Sequence, residues 1–559
     1  MKLNRREAIT LGLTGVGGLL LPFDSSNSAL AETISDCSNC LRGEIPPAIF
    51  NPEELSHQIP RFQSLFKRPP LLKPVHSYEY EDGKPPIDCY EIVMKKAQVE
   101  IIPGLKTEIW SYNGTLPGPL IRQRGGWRNE DQRRTSLVRF INQLGTSTED
   151  GTEIPINTTV HLHGMASLPQ YDGYAEDLIC PDQFKDYFYP NDRAATIWYH
   201  DHVIDRTSRN VYMGLAGMYI VEDEEERQFN LPQGEYDVPL ILQDLRLASD
   251  GSLIFNDRGQ RSLYGDVSLV NGVAWPCMKV ARRKYRFRVL NASTSRTYDL
   301  VLSQKKDGLT FGERIYVIGS DCGLLDAPVE LTSPLQTLVI APAERYEFVI
   351  DFSEYDLETN LYLRNPGFIN SSNIDSDARM QTIMRFYVER DEPDNSSLPD
   401  ELRKIKRLDP NKAVTTRKFR FERSSTQWLI NNKPWNKNHV DANPQPGDIE
   451  IWSLSNNGGW MHPVHIHFVD WQILDRNGRK PLAYERGWKD VFRVDHFETV
   501  RVIAEFGRRN GDYLQGRFMM HCHNLVHEDH SMMTQFEVGQ NGPSPCSAPP
   551  LPISSITPL

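Results

Sequence analysis

At 559 residues the chain is too long for one ordinary domain, and two to four is the expectation. It is 39% hydrophobic and 24% charged, with a mean hydropathy of −0.49, the composition of a soluble globular protein with apolar material for several cores. A formal charge of −12 with no large Lys/Arg cluster excludes nucleic-acid binding, and the longest apolar stretch, Ala8 to Pro22, is too short and Gly-rich for a membrane span.

That stretch has a more specific reading. Asn4-Arg5-Arg6-Glu7 precedes it and Ala29-Leu30-Ala31 follows it, so residues 1–31 look like a twin-arginine export signal cleaved after Ala31. The route carries folded proteins, so a metal can be acquired before crossing. A bacterial source and a periplasmic or extracellular address follow. Just beyond it, Cys37 and Cys40 form a CxxC with no second pair nearby, which favours a local disulfide or plain thiols over a zinc site. Eight cysteines are too few for a disulfide framework at this length.

The rest reads as mostly β, in short runs rich in Val, Ile, Tyr, Phe and Trp cut by Pro, Gly and Asn. A faint repeat runs through it. Asn113-Gly114 recurs as Asn271-Gly272 and as Asn431-Asn432, and each copy is followed by a β run ending in Asn, at Asn142, Asn291 and Asn456. Three related β-sandwich modules are implied, over residues 32–225, 226–395 and 396–540. The Pro- and Ser-rich tail, 541–559, is expected to lack ordered structure.

Fifteen histidines are present, with none between His202 and His439, so the middle module is empty of them. Four tight motifs hold eleven: His161-Leu162-His163-Gly164, His200-Asp201-His202, His462-Pro463-Val464-His465-Ile466-His467, and His521-Cys522-His523 running on to His527 and His530. Side chains alternate along a strand, so a His-x-His pair projects both imidazoles to one face, roughly 7 Å apart at the Cα atoms. Four such pairs supply eight imidazoles to one site, although imidazole alone does not identify the metal. The last motif does. Cys522, His527 and a histidine from elsewhere, His462, make a trigonal His2Cys set with Met532 at long axial range, which describes a blue-copper electron-transfer centre. With Cys522 committed to metal, seven cysteines remain, so at least one other is unpaired. Because Cys522 lies between His521 and His523, one tripeptide touches both metal sites and offers a covalent path between them. Met533, one residue on from Met532, is expected to face the other way as packing.

The four motifs resemble the copper signatures of multicopper oxidases, in that family's order. Tyr285-Arg286-Phe287-Arg288-Val289-Leu290-Asn291 and Ala341-Pro342-Ala343-Glu344-Arg345-Tyr346 extend the likeness through the middle module, toward the spore-coat laccase and bilirubin oxidase branch. The resemblance implies an all-β fold of three cupredoxin-like Greek-key β-sandwich domains, a monomer, four coppers per chain, O2 and a small-molecule electron donor as substrates. It assigns His462, Cys522, His527 and Met532 to the type 1 copper, and His161 and His465 to type 2. The type 3 pair takes His163, His200, His202, His467, His521 and His523. No position of the ligand pattern is missing. Asp172 and Glu528 match family positions beside the cluster and on its water channel, where a proton route is needed because reducing O2 to water consumes protons. His496 and His530 match no ligand. Trp460 either walls the substrate face or packs a strand end.

The reading is therefore an oxidase of phenols, aromatic amines or tetrapyrroles. A plain electron carrier would leave eight histidines without a purpose, and a nitrite reductase lacks a type 3 pair. A cuprous oxidase or ferroxidase for metal tolerance is the alternative, weakened by the lack of a Met-rich insertion among 13 methionines.

Overall fold

A computed structural model describes residues 59–79, 86–125, 134–149, 151–257, 261–307, 312–332, 336–367, 379–507 and 513–559. The export-signal reading and Cys37 and Cys40 lie outside them. Among the described residues, none of Cys89, Cys180, Cys277, Cys322, Cys522 and Cys546 is in a disulfide with another.

Period-two alternation builds the strands, and Lys284–Asn291 shows how. Tyr285, Phe287 and Val289 point to one face and enter the largest apolar core. Arg286 and Arg288 point to the other, where both are buried against Glu226 and Glu347 and Arg288 also pairs with Asp237. Charges so deeply buried persist only because each guanidinium is matched by carboxylates.

Such strands form three pairs of facing sheets. In the first, a sheet containing Ile87–Ile102, Thr135–Asn142 and Gln183–Tyr189 faces one ordered Gly118–Arg124, Ala216–Glu222, Ala195–Asp201, Val160–His163. Ile92, Val138 and Phe140 meet Val160, Leu162 and Ile197 between them. A seven-stranded and a five-stranded sheet pack likewise around Val238, Phe287, Leu300 and Phe386. In the third pair Phe419, Trp452 and Val502 meet Val464, Phe492 and Phe536. This is the all-β architecture of sandwich modules that the strand pattern predicts, in the cupredoxin-like form that the resemblance implies.

The faint repeat has a physical cause. Asn113, Asn271 and Asn431 all take positive φ, near 57°, 50° and 54°, at the same turn. Each side-chain oxygen accepts a backbone N–H from a neighbouring strand, at Val93, Ile241 and Arg420. Asparagine tolerates that conformation and supplies both bonding groups. The strand-terminal Asn142, Asn291 and Asn456 are buried, and each oxygen accepts the amide two residues on, from Leu144, Ser293 and Gly458.

One expectation is overturned. The tail 541–559 is not a loose end: Leu551–Pro552 pairs antiparallel with Gln183 and Phe184, and Arg139 donates to the Thr557 carbonyl at 2.5 Å. Compositional arguments for disorder rest on the inability to build a core, but an extended segment needs only an open sheet edge to dock on.

Candidate metal centre

The two outer modules each present an antiparallel strand pair carrying histidines. In the first, His161 lies opposite His200; in the third, His465 lies opposite His521. The eight imidazoles His161, His163, His200, His202, His465, His467, His521 and His523 are all essentially inaccessible to solvent.

They fall into three sets whose ligand atoms lie within 4.8 Å of one another: His161, His163 and His465; His163, His200 and His523; His202, His467 and His521. The Nε2 atoms of His161 and His465 are 3.3 Å apart, and His521 Nε2 is 3.1 Å from that of His202 and 3.2 Å from that of His467. Neutral imidazoles are required for such crowding. Burial, reinforced by the neighbouring histidines, lowers the pKa of His161, His163, His200, His465, His467 and His523 well below the ordinary value, and takes His202 down to about 4.

Most rings are oriented by the nitrogen turned away from the centre. His161 Nδ1 donates to the Asp172 carbonyl at 2.5 Å, His465 Nδ1 to the Asp490 carbonyl at 2.8 Å, and His200 Nδ1 to the Asp201 carbonyl at 2.8 Å. Carboxylates take two more: His467 Nδ1 meets Asp172 Oδ2 at 2.8 Å, and His521 Nδ1 lies 2.9 Å from Glu528 Oε2. A donated N–H fixes the tautomer and leaves the other nitrogen's lone pair for a metal. His163 Nδ1, His200 Nε2, His202 Nδ1 and both ring nitrogens of His523 are buried without hydrogen-bond partners. Unpartnered ring nitrogens, buried together in this number, fit metal ions and little else.

Asp172 and Glu528 both stand against the cluster, where the resemblance places them, and their surroundings shift them in opposite directions. Burial raises the Asp172 pKa well above the carboxylate range. Burial also opposes ionisation of Glu528, yet His521 and His202 outweigh it and hold its pKa below the usual value.

The second group is smaller. Cys522 Sγ is 3.4 Å from His462 Nδ1 and 3.6 Å from His527 Nδ1, and those two nitrogens are 3.3 Å apart. A near-equilateral triangle of that side has its centre about 2 Å from each corner, the length of a metal–imidazole bond. His527 Nε2 donates to the Arg261 carbonyl at 2.5 Å, so its Nδ1 faces Cys522 as an acceptor. Burial pushes the Cys522 thiol up and takes His462 down to about 3. A thiolate with two imidazoles is a donor set that copper fits. Met532 shares the buried cluster of Cys522, whereas Met533 belongs to another with Tyr174 and Met519; the two methionines do face opposite ways.

Trp460 is half-buried, with its ring edge-on to Trp428 at 5.9 Å and to His527 at 6.2 Å, and the Arg261 guanidinium 5.5 Å above it. His496 and His530 enter none of these sets; His530 Nδ1 bonds the Val526 carbonyl. Two residues that the sequence reading passes over also touch the centre. Asp490 Oδ1 accepts from His163 Nε2 at 3.1 Å, and Arg345 from the middle module grips the same carboxylate. The one pointer to them was the Ala341–Tyr346 motif in a module without histidines.

Comparison with known proteins agrees with this geometry. Two multicopper oxidase family models match residues 93–226 and 407–542. A bilirubin oxidase of Albifimbria verrucaria is 38% identical, over 86% of this chain and 82% of its own. A laccase of Bacillus subtilis is 33% identical, over 86% and 98%. Among solved structures, the multicopper oxidase McoA of Aquifex aeolicus superposes with a TM-score of 0.72 at 29% identity, covering 86% of this chain and all of that one.

Proposed function

The chain belongs to the multicopper oxidase family, and from that premise we propose that it is a laccase-like enzyme taking single electrons from phenols, aromatic amines or tetrapyrroles. The carrying observation is that Cys522 is bonded in sequence to His521 and His523, so the thiol of one donor set and two imidazoles of the other belong to one tripeptide. His462, Cys522, His527 and, at longer range, Met532 would hold a type 1 copper; His161 and His465 a type 2; and His163, His200 and His523 with His202, His467 and His521 a type 3 pair. Four bound coppers supply one-electron oxidation at the Cys522 site and four-electron reduction of O2 to water at the histidine cluster.

The protein's own groups do the rest. The peptide from Cys522 to its neighbours gives electrons a covalent route between the sites. Asp172 orients His161 through its carbonyl and His467 through its carboxylate, and its burial, which raises its pKa, favours the protonated form beside the cluster. Glu528, within 3.7 Å of His202 and 2.9 Å of His521, offers a charged acceptor through which protons are relayed inward. Trp460, beside His527, forms a wall against which an aromatic donor docks. Export by a twin-arginine signal to the periplasm or beyond is part of this proposal, resting on Arg5, Arg6 and the Ala29-Leu30-Ala31 segment.

The test is a substrate panel on copper-loaded protein: a phenol, an aminophenol, bilirubin, Cu(I) and Fe(II), each followed by O2 uptake. The reading expects the organic donors to be oxidised with one O2 consumed per four electrons. Turnover of Cu(I) or Fe(II) alone would replace it with a metal oxidase.

A further inference from the structure

We propose that Asp490, clamped by Arg345, is a positioning residue of the eight-histidine site, so that the module contributing no ligand sets how two of the ligands are aimed. The inference rests on the copper reading above, and goes beyond it by assigning a role to the middle module.

The geometry is closed on every side. Asp490 directly precedes the strand Val491–Val494, which pairs with His462–Ile466. Its carboxylate meets Arg345 through two parallel bonds, Nη1 to Oδ1 at 2.7 Å and Nη2 to Oδ2 at 2.6 Å. Such a fork fixes the plane of both partners as well as their distance. Arg345 is itself immobilised: Nε donates to the Thr196 carbonyl at 3.1 Å, Nη1 to the Ala343 carbonyl at 3.1 Å and Nη2 to the Asp321 carbonyl at 2.9 Å. All five guanidinium donors are thereby used. Arg345 and Asp490 are both buried.

What the clamp holds is the aim of His163 and His465. Asp490 Oδ1 accepts from His163 Nε2 at 3.1 Å. A carboxylate can only accept here, so the proton sits on Nε2 and the lone pair on Nδ1, the buried atom without a hydrogen-bond partner. The Asp490 carbonyl accepts from His465 Nδ1 at 2.8 Å, turning His465 Nε2 toward His161. One residue thus directs a ligand of the first module and a ligand of the third. The glycine after His163 is part of the same device. A Cβ on Gly164 would lie 2.7 Å from Arg345 Nη2 and 3.0 Å from Asp490 Oδ2, so only glycine leaves room for the pair.

The competing explanation is a structural ion pair between modules. The two are separated by measuring copper retention site by site in the holoprotein, using a competing chelator, with the blue absorption reporting the Cys522 site and total copper the rest. Outer-shell partners of metal ligands are typically worth 10- to 100-fold in affinity. Asp490→Asn should weaken the cluster's copper about 10- to 100-fold and leave the blue site unchanged. Arg345→Lys, which keeps the charge but loses the fork, should act in the same direction and more weakly. Arg476→Leu breaks another buried pair, with Glu485 in the third module, in which neither partner bonds a histidine, and should shift neither site selectively. If Asp490→Asn fails to fold, Arg345→Lys carries the test. Equal weakening at both sites, or a cluster affinity within about twofold of wild type in both variants, overturns the proposal. Absence of cluster copper in the wild type would instead overturn the functional reading beneath it.

Discussion

Gly173 gives a sharp test of how the cluster is seated, because the backbone around it leaves no room for error. It follows Asp172, has φ near 79°, and a Cβ there would lie 2.5 Å from the Val160 carbonyl oxygen and 2.6 Å from the His161 Cα. Neither atom can rotate away, since both belong to the strand Val160–His163. Gly173→Ala therefore incurs about 1–2 kcal/mol for a left-handed L-residue and about 1–3 kcal/mol for overpacking. The displaced segment carries Asp172, whose carbonyl and carboxylate hold His161 and His467, and a shift of about 1 Å at a reacting site is worth on the order of 10²-fold in rate. Gly104→Ala is the matched control: its φ is near 82°, but a Cβ there meets nothing within 4 Å. We expect Gly104→Ala to cost only the backbone term, with oxidase activity intact. Gly173→Ala should lose about 2–5 kcal/mol, read by thermal unfolding, and about 10²-fold in turnover. Equal stability and activity of the two variants would refute the claim that Asp172 is seated by this contact.

Asp172→Asn keeps the volume and removes the proton; donor oxidation should proceed at near-normal rate while the O2 half-reaction slows about 10²-fold or more in stopped-flow reoxidation. Equal loss in both halves would make Asp172 structural only. Met532→Leu removes the weak donor proposed for the Cys522 site, which would favour Cu(II), so redox titration should show a raised potential, each 100 mV being about 2.3 kcal/mol for one electron; Met533→Leu, packed with Tyr174 and Met519, should leave it unchanged. Arg5→Lys with Arg6→Lys should trap the protein uncleaved in the cytoplasm, and normal export of that variant would remove the twin-arginine reading.

The ligands were legible because strand alternation is a property of sequence: His-x-His on any strand aims two imidazoles one way. The Cys522, His527 and Met532 spacing was legible for a similar reason, since these residues follow one another from a strand end through one short helix, Leu525–Asp529. Asp490 and Arg345 were not, because they are 145 residues apart and neither has a local pattern that announces a partner. The same holds for the tail, whose pairing with Gln183 and Phe184 depends on an edge that only the folded first module creates. The Asn repeat stood between these cases. It was visible as recurring letters, but its meaning, one side chain tying neighbouring strands in each module, needed the structure.

The central claim is that one chain holds two coupled copper sites sharing the tripeptide His521-Cys522-His523. Metal analysis combined with visible absorption and electron paramagnetic resonance, on wild type and Cys522→Ser, addresses it directly. The wild type should carry about four coppers and be blue from the Cys522 thiolate; Cys522→Ser should lose the colour, one copper and all turnover, while the type 2 signal persists. One or two coppers in a fully active wild type, or a blue colour that survives Cys522→Ser, would contradict the account.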